Sequence, residues 1–553
     1  MCLIKTFLLQ KKYNIKMAHQ KLYMEKHYLK PTIKAEPLVW EWYAWPYLIP
    51  PLPAACNIIE RHLKIMQSYV QNPQIHAQAV KDPKLLGGPF IDLEGKRVNE
   101  VKALIDQTKK ECKKLIELHD SFKELDRALQ TEAQGDSLES YYNRIPAPLK
   151  GLIELVYDLN NHPSIRLIEP LIYKKYYSTQ HQKIAISDTI SDFRKFVLST
   201  PRLAQDDEIY LDVPFSDPKL DRLFRMKEEP DNLNEVQDLF EVPQSNQLLF
   251  QSLFTTTPPA IPENRNYQGE DIRIRYFGHA CVLVQTKSVS ILFDPVISYP
   301  LQAHEVPRYT LADLPDHIDY VVITHNHQDH LMFETLLQLR HKIKHIVFPT
   351  NQGGALEDPS IKLILKHTGF KSLIELKEMD TLPLDAGEII ALPFLGEHSD
   401  LNIQSKLSYC VQLKGKRFLF AADSNNLEPS LYDHIFDHIG SIDMLFLGME
   451  CDGAPLTWLY GPLLTNPLKR SHDRNRTLSG SNFEKAWAIA EKSNCKQAYV
   501  YAMGQEPWLN YVMALKYSPE SPQIVESNKF IEACKQKGIE SERLFGKKEW
   551  IIS

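Results

Sequence analysis

Cysteine is sparse and never paired in pattern. Eight cysteines lie scattered at 2, 56, 112, 281, 410, 451, 495 and 534, and no two form a Cys-x-x-Cys pair. That spacing points to neither a zinc ribbon nor a disulfide framework, and it fits a reducing cytoplasm. Long apolar runs are missing as well. No stretch approaches the about 18 apolar residues of a membrane span, so no membrane association is expected. Residues 3–9 are briefly apolar, but they lack the length and small-residue cleavage site of a secretory signal, and Met17 is an alternative start. Positive charge is not in excess. The formal net charge of −6 argues against a nucleic-acid surface, which needs a basic face. The first half shows no glycine-rich nucleotide fingerprint, and the chain shows no internal repeat.

What is present is a globular composition, 43% hydrophobic and 24% charged, over 553 residues. That length exceeds one ordinary core, and two domains are expected. Residues 1–260 read as a mainly helical α+β accessory domain, and residues 261–553 as the domain that carries the chemistry. The proline-bearing stretch 255–267 links them. Residues 18–60 are unusually aromatic, with Trp40, Trp42, Tyr43, Trp45 and Tyr47 running into Pro50, Pro51 and Pro53. The prolines argue against a regular helix or central strand there. The tryptophans suggest a segment that packs on the other domain, on a second subunit, or along a substrate channel. Helices are expected over 54–70, 96–130, 147–159, 170–177, 232–241 and 244–253, with a strand over 208–213. In the longest, Val98, Val101, Ile105, Cys112, Leu115, Leu118, Phe122, Leu125 and Leu129 recur mostly at steps of three and four, giving one apolar stripe.

The second domain opens with an alternating strand over 272–277. A turn at Gly278-His279-Ala280 follows, then a hairpin over 281–293 that ends at Asp294-Pro295. The next apolar strand, 318–323, runs into Thr324-His325-Asn326-His327-Gln328-Asp329-His330 and then into a helical stretch. His325 and His327 are two apart, so extended backbone lets both face one metal. Asp329 and His330, at the turn into the helix, can hold a second. Neutral imidazole and carboxylate suit zinc, iron or manganese. Two further strand ends carry candidates. Residues 389–396 lead into Glu397 and His398 side by side, and residues 417–422 end at Asp423. A strand over 499–504 is followed by Gln505-Glu506-Pro507 and by no histidine. His472, in the basic run 469–476 read as a loop, is either a further ligand or a substrate or surface residue.

The His-x-His-x-Asp-His run, with Phe277-Gly278-His279-Ala280 and Phe293-Asp294-Pro295 before it, resembles the signature of the metallo-β-lactamase fold. That fold is an αββα sandwich with metals at its strand ends, and the resemblance covers about half the chain, from near Ile272 onward. It implies that Asp294 braces the ligands from beneath the metals and that Asp423 bridges both. It leaves His279 as either a structural histidine at the turn or a residue near substrate or oxygen. With Glu397 where hydrolases of the fold place a histidine, the chain resembles more narrowly the diiron β-hydroxylases of chloramphenicol biosynthesis and nonribosomal peptide pathways. Their ligand pattern matches His325, His327, Asp329, His330, Glu397 and Asp423 one by one, at intervals of 72 residues from His325 to Glu397 and 26 from Glu397 to Asp423.

The resemblance implies one iron among His325, His327, Glu397 and Asp423. The other lies among Asp329, His330 and Asp423, with His398 beside the ligands or lining the pocket. Oxygen-rich donors of this kind favour iron over zinc. Glu397 and Asp423 are then the catalytic carboxylates. The activity implied is a dioxygen-dependent monooxygenase in the cytoplasm. It uses two iron ions and an external electron-transfer partner, and it hydroxylates the β carbon of an aminoacyl group held on a carrier (thiolation) domain. A homodimer is expected, and no nucleic-acid or membrane partner. The N-terminal domain and the rim 458–476, where Lys469, Arg470, Arg474 and Arg476 face an acidic carrier or its phosphate, are the expected docking surfaces. The rival class is a two-metal hydrolase of a phosphodiester or ester, with metal-bound hydroxide as nucleophile. It requires His398 in place of Glu397.

Overall fold

A computed structural model describes residues 26–301 and 306–553. The apolar stretch 3–9 and Met17 lie outside the described residues. The C-terminal half is built on two seven-stranded sheets. One runs in the order Leu373–Leu376, Ile343–Pro349, Ile318–Val322, Ser290–Phe293, Cys281–Gln285, Ile272–Gly278, Lys548–Ile552. The other runs Thr381–Leu384, Gly387–Leu392, Ser408–Leu413, Lys416–Phe420, Met444–Gly448, Gln497–Tyr501, Glu540–Arg543. Each sheet is antiparallel on one side and parallel on the other. Strands such as Ile272–Gly278 and Cys281–Gln285 are buried along their whole length, because both faces are covered. Between the sheets lie Ile274, Val282, Ile291, Phe293, Tyr409, Phe418, Phe420 and Phe446. The helices Ser430–Ile439, Phe483–Ser493 and Pro522–Gln536 cover the outer face of the second sheet. This is the expected αββα sandwich.

The N-terminal half is α+β. A four-stranded sheet, ordered Trp42–Tyr43, Ile33–Val39, Gln182–Asp188, Ile209–Leu211, stands beside a helical layer that includes Pro51–Asn57, Lys64–Gln71, Val98–Glu111 and Lys113–Glu132. Several local expectations need correction. Pro51 opens a helix rather than forbidding one, since the first-turn N–H groups have no intrahelical partner to lose. The long helix over 96–130 is two helices meeting at Cys112, where ψ is 13°. The break keeps Leu104 and Ile105 before it, and Leu115 and Phe122 after it, in one core. The helix expected over 147–159 is instead the strand Ile153–Tyr157, paired with Pro163–Leu167, whose alternate residues are buried. The basic run 469–476 holds a short helix, Arg470–Asn475.

The aromatic segment joins the two halves. Trp42 and Trp45 are buried in the N-terminal core, while Tyr43 and Tyr47 reach across the domain boundary. Tyr47 Oη donates to the Glu357 carbonyl at 2.7 Å. Tyr43 Oη donates to Glu334 Oε2 at 2.9 Å, on the helix Phe333–Leu339 that follows the histidine motif. Arg194, from the N-terminal half, grips the same Glu334 through both terminal nitrogens, at 3.0 and 2.8 Å, and also contacts Glu36. Arg202 pairs with the other oxygen of Glu36, and Tyr299 donates to Glu334 Oε1 at 2.8 Å. Glu36 and Glu334 are 0% and 2% exposed, so this is a buried, charge-balanced cluster across the domain boundary.

Candidate metal centre

The six candidate ligands and Asp294 sit where strands of the sandwich end. Thr324–His330 follows Ile318–Val322, Asp294 follows Ser290–Phe293, Glu397 comes after Gly387–Leu392, and Asp423 after Lys416–Phe420. The backbone at these ends is unusual. His279, Asp294, Glu397, Ala422 and Ala502 have φ of 51°, 36°, 67°, 47° and 53°, a left-handed region that non-glycine residues enter at a cost. Such turns aim the next side chains across the sandwich rather than along it. Gly396 has a true steric reason to be glycine, since a Cβ there would stand 2.4 Å from Asn425 Cβ. That close approach brings the Glu397 loop against the Asp423 loop.

The six predicted ligands come together. His327 Nδ1 lies 2.8 Å from Glu397 Oε1, and His325 Nε2 lies 4.0 Å from Glu397 Oε2. His330 Nε2 lies 2.9 Å from Asp423 Oδ2 and 3.5 Å from Asp329 Oδ2. Asp423 Oδ2 is also 3.8 Å from His325 Nε2, so this carboxylate stands between the two groups. Three trios have donor atoms within 4.8 Å of one another: His325, His327 and Glu397; His325, His330 and Asp423; and His279, Asp329 and His330. His325 Nε2, His330 Nε2, Glu397 Oε2 and Asp423 Oδ1 are buried without a hydrogen-bond partner. Leaving such a lone pair unmet costs roughly 1–3 kcal/mol each. The orphaned atoms converge on the space that two cations would fill. Three carboxylates offset most of the charge of two dications, and with three imidazoles the donor set fits a pair of metal ions.

Neighbours fix each ring's protonation. Asp294 is fully buried and accepts from Thr324 N–H at 2.8 Å and Thr324 Oγ1 at 2.6 Å; its Oδ2 lies 2.8 Å from His330 Nδ1. With the proton on His330 Nδ1, the Nε2 lone pair faces the centre. Thr324 Oγ1, 3.0 Å from His325 Nδ1, does the same for His325. Burial, then the neighbouring rings of His330 and His327, hold His325 well below the usual histidine range, the neutral form a metal needs. Burial opposes ionisation of Glu397, but His327 and His398 hold its carboxyl well below the ordinary range.

The remaining predicted residues separate. His279 Nδ1 accepts from Gly504 N–H at 3.2 Å, which puts its proton on Nε2, 3.0 Å from Asp329 Oδ2. A ring in that state braces Asp329 and has no lone pair for a metal. His398 is buried, with Nδ1 2.9 Å from Glu397 Oε2 and 3.1 Å from His327 Nε2, and belongs to none of the metal-competent trios. Burial, only partly offset by Glu397, pushes it down to about 4. His472 is exposed on its short helix and also lies outside the trios.

Two participants were not anticipated. Tyr460 Oη is 2.6 Å from His327 Nε2 and 3.0 Å from His398 Nδ1, bridging them behind the centre. Nothing in the sequence around Tyr460 marks it. Glu450 lines the same cavity as Asp329, Glu397 and Asp423. Burial, then the carboxylates of Asp423, Asp329 and Glu397, hold its carboxyl well above the ordinary range. It follows the strand Met444–Gly448 as Asp423 follows the adjacent strand, a repeated pattern that was legible. The end of Gln497–Tyr501 supplies the Gly504 N–H to His279, and Glu506 nearby accepts from Tyr276 Oη at 2.6 Å.

The cavity over the centre, about 380 Å³, is walled by both halves of the chain: Leu86, Phe196 and Leu198 from the first, Trp458, Leu478 and Leu515 from the second. Known proteins resemble this chain over both of its halves. Residues 28–258 match the family model described as the diiron non-heme beta-hydroxylase N-terminal domain, and residues 290–454 match a beta-lactamase superfamily domain. The 4-amino-L-phenylalanyl-CmlP-peptidyl-carrier-protein 3-hydroxylase of Streptomyces venezuelae is 37% identical over 527 residues, 94% of this chain and 98% of that protein. The crystal structure of CmlA, a diiron beta-hydroxylase from Streptomyces venezuelae, superposes with a TM-score of 0.90 at 36% identity. It covers 96% of this chain and 100% of that one. A point mutant of CmlA beta-hydroxylase gives 0.88 at 35% identity.

Proposed function

Because the chain belongs to the family of diiron non-heme β-hydroxylases, we propose that it hydroxylates the β carbon of an aminoacyl group tethered to a carrier domain. Dioxygen is the co-substrate, and an external partner supplies the electrons. The observation that carries this reading is the donor set: Glu397, not His398, stands among the ligand atoms, giving three imidazoles and three carboxylates. That set separates it from a nitrogen-rich dizinc hydrolase.

In this reading His325, His327 and Glu397 would hold one iron and Asp329 and His330 the other, with Asp423 between the two groups. When bound, the pair would supply the two-electron activation of dioxygen that hydroxylation of a C–H bond needs, with water as the second product. The chain's own part is placement. Asp294 and Thr324 present the correct ring nitrogens of His330 and His325. Tyr460 and His398 hold His327 and Glu397 from behind. A carboxylate at Glu397 can bind through one oxygen or two, so it can make room at the centre where an imidazole could not. The apolar wall of Leu86, Phe196, Trp458 and Leu515 excludes water from the reacting carbon. No helix among the described residues is long and apolar enough to cross a membrane. The aromatic segment, one motive for expecting a homodimer, packs within the chain, so a dimer would rest on another surface.

The test loads the protein with iron and supplies reductant, dioxygen and an aminoacyl carrier. A gain of one oxygen atom on the carrier-bound residue, with little turnover of the free amino acid, is the expected result. Binding energy from the remote carrier is lost with the free acid. Equal turnover of the free acid would remove the carrier. Ester hydrolysis by a dizinc form, with no iron-dependent oxygenation, would install the hydrolase.

A further inference from the structure

We propose, resting on the carrier-tethered reading above, that the carrier's phosphopantetheine arm enters between residues 82–90, 193–199 and 504–517, with Lys84, Lys195 and Lys516 holding its phosphate.

A second cavity, of about 670 Å³, lies outside the one over the metal centre. The two share Leu86, Gly87, Phe196 and Leu515, so they meet at an apolar neck. An extended arm with methylenes and a gem-dimethyl group suits such a neck. Its two amides have Gln505 and Asn510 along the outer cavity. Lys195 and Lys516 line the outer cavity, and Lys84 lines the inner one beside the neck. Among the described residues none of these three ammonium groups has an ion pair or side-chain hydrogen bond. Asp82, next to Lys84, accepts from the Lys84 backbone N–H, and Asp92 is the acidic residue on the outer wall. Three cations that line the two adjoining cavities, of which Lys195 also attracts the Glu94 carboxylate from a distance, are the complement of a phosphodiester. Around it, Phe193 is 73% exposed and Phe545 48% exposed, apolar surface for the carrier itself to cover.

Two other routes fit less well. A third cavity, about 470 Å³, meets the centre through Gly87, Phe196, Leu198 and Trp458. Its cations are already committed: Arg61 donates to the carbonyls of Trp458 and Leu459, and Lys64 pairs with Glu60. The basic run 469–476 lines none of these three cavities.

The test compares binding of 4′-phosphopantetheine and of pantetheine to the iron-loaded full chain by NMR titration. It uses the wild type, a Lys84→Glu/Lys195→Glu/Lys516→Glu variant, Lys64→Glu, and Arg470→Glu/Arg474→Glu; iron content and circular dichroism check folding. The wild type should prefer the phosphorylated compound by roughly tenfold or more, as for hydrogen bonds to a charged group. The triple variant should lose that preference, and added salt should erode it in the wild type. A preference that survives the triple variant, that disappears instead with Lys64→Glu or Arg470→Glu/Arg474→Glu, or that is absent from the wild type overturns the proposal. Phosphate preference without hydroxylation of a loaded carrier would instead sink the carrier-tethered function and leave the anion site standing. Hydroxylation without phosphate preference sinks the entrance alone.

Discussion

Asp294→Asn changes one atom and should cost the centre an iron. Asp294 has two acceptor oxygens facing three hydrogens: Thr324 N–H on Oδ1, and Thr324 Oγ1 and His330 Nδ1 on Oδ2. Asparagine has only one oxygen. If its amide nitrogen takes the Oδ1 place, it faces the Thr324 N–H at 2.8 Å, donor against donor. If it takes the Oδ2 place, it donates to His330 Nδ1 and moves the imidazole proton to Nε2, which then offers no lone pair to the metal. Thr324 Oγ1 also loses its acceptor and can turn its hydrogen toward His325 Nδ1, unsettling the second ring. Either arrangement forfeits a buried hydrogen bond to a charged group, about 1.5–3 kcal/mol. That corresponds to roughly 10–100-fold in metal affinity. Iron titration of the apoprotein, read by absorbance and by metal analysis after gel filtration, should show the ion beside His330 weakened first. The ion beside His327 and Glu397 should be retained longer. Wild-type affinity at both positions, in a protein that unfolds at the wild-type temperature, would refute the tautomer argument.

Other perturbations follow from the same geometry. Glu397→Ala should strip the iron beside His325 and His327 and abolish oxygenation, whereas His398→Ala should keep two irons with an altered rate; metal content and product measured in parallel decide between them. Arg194→Met should destabilise the fold by roughly 3–5 kcal/mol, because it leaves Glu36 and Glu334 buried without that partner, and urea unfolding reads the loss. Lys227 is a pH probe: burial, slightly offset by Glu334, pushes its ammonium down to about 7. The unfolded chain, with a lysine near about 10.4, then binds more protons between those values, so wild-type stability relative to Lys227→Met should rise with pH across that window. Urea midpoints of both proteins at about pH 6.5 and about pH 9.5 test the sign.

Much of the site was legible because its chemistry is local in sequence. Four of the proposed ligands fall within His325–His330, and Glu397 and Asp423 each follow an apolar strand. Adjacent candidates such as Glu397 and His398 are harder to order from sequence. Their backbone is left-handed at Glu397, not extended, and what decides the matter is Gly396 touching the Asp423 loop. Tyr460 was invisible because it reaches His327 from 133 residues away, through folding alone. The first domain was read less well. Its stripes gave helices, but a proline at N1 and a helix break at Cys112 depend on tertiary contacts that periodicity does not carry.

The Glu36–Arg194–Glu334 cluster bears on how such chains can be recombined. Neither half is an exchangeable module. A graft of the metal-bearing half onto a foreign partner would bury Glu334 with no guanidinium against it, and the first half alone would bring Arg194 without its bidentate carboxylate. Chimeras meant to redirect carrier choice by exchanging the first half should therefore keep Glu36, Arg194 and Arg202 from one parent, and an arginine-gripping glutamate at position 334 from the other. The cluster makes the choice of first half and of second half one decision rather than two.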